Sequence, residues 1–195
     1  MPDESDSRPT TTGINPALAH WLSVDVVDND GDWSVIPGAS TAIESAAAAL
    51  ARHPEFDKRA AAEACIALST DAAVQKLNAS YRGKDKPTNV LSFPASTMPL
   101  ADETSPESLG DIILALETLL SEARNEGIAS TAHLQHLTVH GLLHLLGFDH
   151  ENESDAEEME ALEIEILASL GISNPYAEDA QPQPTTTPAN RLERL

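Results

Sequence analysis

Cysteine is almost absent from this chain: Cys65 stands alone, so no disulfide can close within it and no multi-cysteine zinc site exists. A reducing compartment is the expected home. Aromatic residues are scarce as well, only Trp21, Trp33, Phe56, Tyr81, Phe93, Phe148 and Tyr176, which leaves little from which to build a stacking platform for single-stranded bases. Basic residues number 11 against 32 acidic ones, a formal charge of −21. Such a balance opposes approach to a polyanion and argues against nucleic acid as a partner, and no DNA partner is expected. No stretch approaches eighteen uncharged apolar residues and the N-terminus Met1-Pro-Asp-Glu-Ser-Asp has no apolar segment, so neither export nor membrane spanning is expected and the cytosol is the default. The charge is unevenly placed. Ten of the acids lie between Glu151 and Asp179, while four of the eleven bases lie between Lys76 and Lys86. A local basic patch survives in an acidic protein, and most of the acidic excess reads as surface charge that keeps the chain soluble.

What is present is enough for one domain with a substantial core. Residues 1–16 and 177–195 are rich in Ser, Thr, Pro and Asp with little to bury, and are expected to be a disordered leader and tail around a folded domain at 17–176. Inside it, residues 21–27 alternate as a first strand, and Val35 and Ile36 suggest a short further piece. An alanine-rich helix over 39–52, with Ser40 or Thr41 as its cap, precedes a strand at 63–68. Thr70 and Asp71 cap a helix to about Tyr81, strands follow at 89–93 and 110–114 with a polar acidic loop between them, and a helix over 115–126 ends near Gly127. Ser130 or Thr131 begins a long helix ending at Gly147, and Ser154 with Glu157 has the spacing of a capping box. In the last helix Met159, Leu162, Ile166 and Leu170 form a buried stripe stopped by Gly171. Strands and helices interleave without regular βαβ spacing, which predicts an α+β single domain with a small mixed sheet packed by helices.

The chemistry concentrates in His140-Gly-Leu-Leu-His144-Leu-Leu-Gly147-Phe-Asp-His150. Residues four apart on a helix share a face, so His140 and His144 can point at one ion. Gly147 permits the left-handed turn that ends the helix and brings His150 back. Three neutral imidazoles suit zinc and leave one tetrahedral position open, the arrangement of a catalytic site. The bland reading, two ordinary histidines on an apolar helix, would be preferred for His140 and His144 alone, and the third His with the Gly tips the balance. The spacing is also that of the long metzincin protease signature, but the Glu those enzymes carry after the first His is here Gly141, which cannot move a proton. His136, one turn before His140, is expected to orient a ligand from behind, as is Asp149. His133 is expected elsewhere on the helix surface, His20 and His53 to be incidental, and Cys65 to be a small core residue.

A second constellation leaves a helix, crosses a basic turn and enters a strand: Tyr81-Arg82-Gly-Lys84-Asp-Lys86-Pro-Thr88-Asn89-Val-Leu-Ser92-Phe-Pro94. Arg82 offers a planar fork for phosphate oxygens, Lys84 and Lys86 point charges, and Thr88, Asn89 and Ser92 uncharged hydrogen-bonding groups. A solvated loop with Asp85 pairing one lysine is the alternative for Lys84 and Lys86.

Together with Leu109-Gly-Asp-Ile-Ile113 between them, these two segments closely resemble the YbeY family of bacterial endoribonucleases, the rRNA maturation factors, over about residues 60–170. The resemblance implies a zinc-dependent, single-strand-specific endoribonuclease acting at the 3′ end of small-subunit rRNA and in ribosome quality control. It implies one zinc on His140, His144 and His150, with Arg82 as the functional arginine. Phe148 stands where the family commonly has Tyr, which removes a hydroxyl but no ligand. The competing readings are a zinc peptidase-like hydrolase, disfavoured by Gly141, and a non-catalytic ribosome-assembly factor with a structural metal. The general base, and the choice between water and the RNA 2′-hydroxyl as nucleophile, are not legible in the residues.

Overall fold

The structure, a computed structural model, describes residues 21–96 and 105–177. The expected leader and, but for residue 177, the expected tail lie outside these residues, as does part of the acidic loop. Strands β1 (Leu22–Asp28), β2 (Ala62–Ser69), β3 (Val90–Pro94) and β4 (Glu107–Ala115) form one sheet in the order β1-β2-β4-β3. β2 pairs in parallel with both β1 and β4, while β3 runs antiparallel to β4. The expected mixed sheet and α+β class both hold. Parallel neighbours need a crossover, and α1 (Ala39–Ala51) supplies the first, α2 (Asp71–Arg82) with β3 the second. Helices α3 (Leu116–Glu126), α4 (Ser130–Leu145) and α5 (Glu153–Ser169) complete the chain.

Alternation along β2 decides which face is the core. Ala62, Ala64, Ile66 and Leu68 are buried on one side, under α1 and α4, with α5 packed across those two helices. Among the described residues the opposite face is covered only over β3 and β4, where Val74 of α2 meets Leu91, Ala115 and the half-buried Leu77, Phe93 and Ile113. No described residue covers it over β1 and β2, and Cys65 lies there, half-buried, rather than in the core as expected. Its neighbours include Asp25 and Asp111; burial and then these two carboxylates push its thiol up.

Helix α4 is central because it is allowed to sit unusually close to the sheet. A Cβ on Gly141 would stand 3.0 Å from Ile112 Cδ1 and 3.1 Å from its Cγ2, and the Ser92 hydroxyl donates to the Gly141 carbonyl at 3.2 Å. Gly110 has φ +120°, and a Cβ there would lie 2.1 Å from the Phe93 carbonyl oxygen, so only glycine lets β4 cross β3 at this point.

Local readings differ from the structure at three places. Val35 ends a turn of 3-10 helix (Trp33–Val35) instead of starting a strand, because Trp33 buries itself and donates Nε1–H to the Ser69 and Asp30 carbonyls, both at 3.2 Å. Gly38, left-handed and without a side-chain bond, precedes α1, so Ser40 and Thr41 fall inside its first turn. Asn152 rather than Ser154 caps α5, accepting the Asp155 N–H at 3.0 Å. The Thr70 cap is as expected, and it has an addition. Asp71 accepts from the Thr118 N–H and hydroxyl, both at 2.9 Å, while Glu117 accepts the Asp71 N–H at 2.8 Å, so the first turns of α2 and α3 cap each other.

Candidate metal centre

Helix α4 presents His136, His140 and His144 along one face, and Gly147 at φ +93° turns the chain so that His150 returns to it. One ligand atom from each of His140, His144 and His150 lies within 4.8 Å of the others. The geometry fixes the tautomers of two of them. His144 Nδ1 is 3.0 Å from the Phe148 carbonyl and His140 Nδ1 is 2.7 Å from Glu163 Oε1. Oxygens of both kinds accept, so each Nδ1 carries the proton and each Nε2 is left as a lone pair. Those two Nε2 atoms face each other at 3.1 Å. Two lone pairs at that distance repel unless a cation or a shared proton lies on both. Three imidazole nitrogens converging in this way are a donor set that fits a divalent transition metal, zinc among them.

Electrostatics keeps the set ready. Burial lowers the pKa of His144, the neighbouring His140 lowers it further, and the Phe148 carbonyl offsets part of this, so His144 stays neutral to below the ordinary histidine range. The Phe148 ring packs edge-on against Phe56 at 6.1 Å, which anchors the turn that supplies both the carbonyl and His150. Asp149, expected to orient a ligand imidazole, instead accepts the His150 backbone N–H at 2.8 Å. Orientation of His140 comes from Glu163, a residue unnoticed in the sequence. It is fully buried, and its Oε2 accepts from His136 Nε2 at 3.0 Å and from the Tyr176 hydroxyl. Burial pushes the carboxyl up, but these hydrogen bonds outweigh it and hold the pKa at about 2. A signal existed: Glu163 falls four after Met159 and three before Ile166, a charge on the buried stripe of α5. His136 thus reaches His140 through Glu163. His133 is buried rather than on the helix surface, and its Nε2 meets Glu122 Oε2 at 2.8 Å. His53, read as incidental, meets Glu165 at 3.0 Å and links the end of α1 to α5.

The basic turn is a second part of the site. Arg82, Lys84, Lys86, Thr88 and Asn89 line a cavity of about 290 Å³. The Arg82 guanidinium makes one long bond, Nη2 to the Ser92 carbonyl at 3.4 Å, and the side chains of Lys84 and Lys86 are exposed. Next to it a cavity of about 310 Å³ is lined by His133, His136, His140 and Tyr176. Asn89 and Glu122 line both cavities, so the arginine turn and the histidine face share a wall. Two of the expected binding groups are spent internally. Ser92 is buried with its hydroxyl committed to the Gly141 carbonyl, and its part is to hold β3 against α4 rather than to meet a ligand. Asn89 donates to Glu122 Oε2 at 2.9 Å and accepts the Val90 N–H at 2.7 Å, with the Thr88 hydroxyl on the same oxygen at 3.4 Å. Asn89 and Glu122, bonded to each other, brace the wall between the cavities.

Residues 28–171 match the family model described as endoribonuclease YbeY. An endoribonuclease YbeY of Azorhizobium caulinodans is 50% identical over 161 residues, covering 82% of this chain and 99% of its own. One of Bradyrhizobium sp. is 49% identical over 148 residues, 75% of this chain and 87% of its own. A third, of Parvibaculum lavamentivorans, is 49% identical over 168 residues, 81% and 86% respectively. A histidine triad closed by a glycine turn, an arginine turn that shares a wall with it, and identity near one half across nearly the whole fold agree on one assignment: the chain belongs to the endoribonuclease YbeY family.

Proposed function

We propose that this protein is a zinc-dependent endoribonuclease that cuts single-stranded RNA in the cytosol. Its proposed substrate is the 3′ end of small-subunit rRNA, with a part in ribosome quality control. The observation that carries the metal reading is the pair of Nε2 lone pairs of His140 and His144 held face to face at 3.1 Å, with His150 completing the triad. RNA as substrate rests on the family. Zinc held there supplies Lewis acidity beside a phosphodiester and makes water acidic enough to ionise near neutral pH. The protein does the rest. The Phe148 carbonyl and the Glu163 carboxylate keep Nε2 of His144 and His140 free of protons. Arg82, lightly held by one carbonyl, reaches into its cavity with a fork that suits two phosphoryl oxygens, where charge builds as the bond breaks. Lys84 and Lys86 at the rim give a −21 protein a local field that draws a polyanion in.

The peptidase alternative loses its footing on Gly141. The position where a protease places its general base is a glycine that carries no proton-transfer group and lies tight against Ile112. Among the described residues no helix is long and apolar enough to cross a membrane. The test is cleavage of a structured rRNA fragment bearing a single-stranded 3′ extension by zinc-loaded wild type and by His144→Ala, at matched purity. Cleavage by the wild type alone supports the proposal, and equal cleavage by both assigns the activity to a contaminant and overturns it.

A further inference from the structure

Glu163 is fully buried on a helix stripe that is otherwise Met159, Ile166 and Leu167, where packing alone asks for an apolar side chain. A buried charge is tolerated only when it is fully hydrogen-bonded, and here the bonding is divided. Oε1 is given to His140 Nδ1 at 2.7 Å, while Oε2 takes both His136 Nε2 at 3.0 Å and the Tyr176 hydroxyl. Tyr176 comes from the segment after α5, and its ring meets the His136 ring edge-on at 5.9 Å. Three groups from three segments therefore converge behind a single imidazole. The two ligands with fixed tautomers are also oriented unequally: His144 by a neutral backbone carbonyl, His140 by a carboxylate. A carboxylate on Nδ1–H makes an imidazole more basic at Nε2 and so a stronger donor.

We propose that Glu163 is a positioning residue of the metal centre, and that Tyr176 with His136 fixes its second oxygen so that the first is reserved for His140. The segment that follows α5 is then part of the zinc site, although it contributes no ligand. This inference rests on the reading of His140, His144 and His150 as the zinc ligands.

The test is competition for zinc between the full-length protein and a chromophoric chelator, for wild type, E163Q, E163M and Y176F, alongside thermal unfolding of each metal-free form. E163Q and E163M are expected to lose about 10- to 100-fold in zinc affinity, and Y176F a smaller, several-fold amount. Metal-free E163M, which takes the acceptor away from His136, His140 and Tyr176, is expected to unfold below the wild-type temperature. Metal-free Y176F, which leaves both Glu163 oxygens bonded to histidine, is expected to unfold near it, so that in Y176F zinc affinity falls while stability holds. A residue that merely fills the core would move them together. Wild-type zinc affinity in E163Q and Y176F overturns the inference while leaving the ligand assignment standing. A wild type that takes up no zinc overturns the ligand assignment, and the inference with it.

Discussion

At Gly141 a missing atom carries more than a missing function. The atoms nearest to an added Cβ are side-chain carbons of Ile112, so Gly141→Ala requires that side chain to give by a few tenths of an ångström and is expected to cost about 1–3 kcal/mol, read as a lowered urea midpoint. A midpoint equal to wild type sinks the idea that α4 is seated by this glycine. On the role proposed for its guanidinium at developing charge, Arg82→Ala is expected to lower the cleavage rate about 10²-fold while zinc stays bound. Loss of zinc in that variant would place Arg82 in the metal site instead. Two titrating groups set the acid limit of the metal-free fold. Glu163 has a folded pKa near 2 against an ordinary 4.5, so its contribution is present above 4.5 and is lost as pH falls towards 2. His144 has a lowered folded pKa against an ordinary 6.5, so the unfolded chain takes up its proton first and stability declines as pH falls below 6.5. Denaturant midpoints measured from pH 7 to 2 should fall in two stages, and a flat profile contradicts both assignments. Of these residues Arg82, His140, His144 and His150 are legible in sequence because their meaning is local. Glu163 is not, since its partner His140 lies 23 residues away on another helix.

At the scale of elements, the site depends on how β3, β4 and α4 are held together. Gly110→Ala would bring a Cβ to 2.1 Å from the Phe93 carbonyl in a conformation that L side chains avoid. The β3–β4 pair should open, with loss of hydrogen-exchange protection across residues 90–94 as the readout. Retained protection there would show that the strands have another way to cross. The Asp71 carboxylate makes its contact with α3 across 47 residues of sequence, and Asp71→Ala is expected to cost about 1 kcal/mol for a lost helix cap. The helices and strands themselves follow from periodicity and from Thr70, Gly127 and Gly147 at their ends. Less legible were elements with tertiary causes: Trp33 reaching the Ser69 carbonyl turns a strand-like Val35-Ile36 into a helical turn. Likewise Ser92, read as a ligand group beside Arg82, is a brace because β3 lies against α4.

For the molecule as a whole, charge decides how RNA is met. A chain of −21 with three basic side chains around one cavity can neutralise few phosphates. For single strands each neutralised phosphate contributes about 0.7 to the slope of log K against log salt, so the slope should be no steeper than about −2. A much steeper dependence in filter-binding titrations would require basic side chains beyond the three around this cavity.

The sequence by itself determined the class of the fold, the identity of the three converging histidines and the arginine turn, because helix spacing and turn chemistry act over a few residues. Only the tertiary structure decided which groups stand behind them: Glu163 and Tyr176 at His140, Ile112 at Gly141, Gly141 at Ser92. These partners are distant in the chain, and what brings them together is the burial of a shared core, which no local pattern encodes.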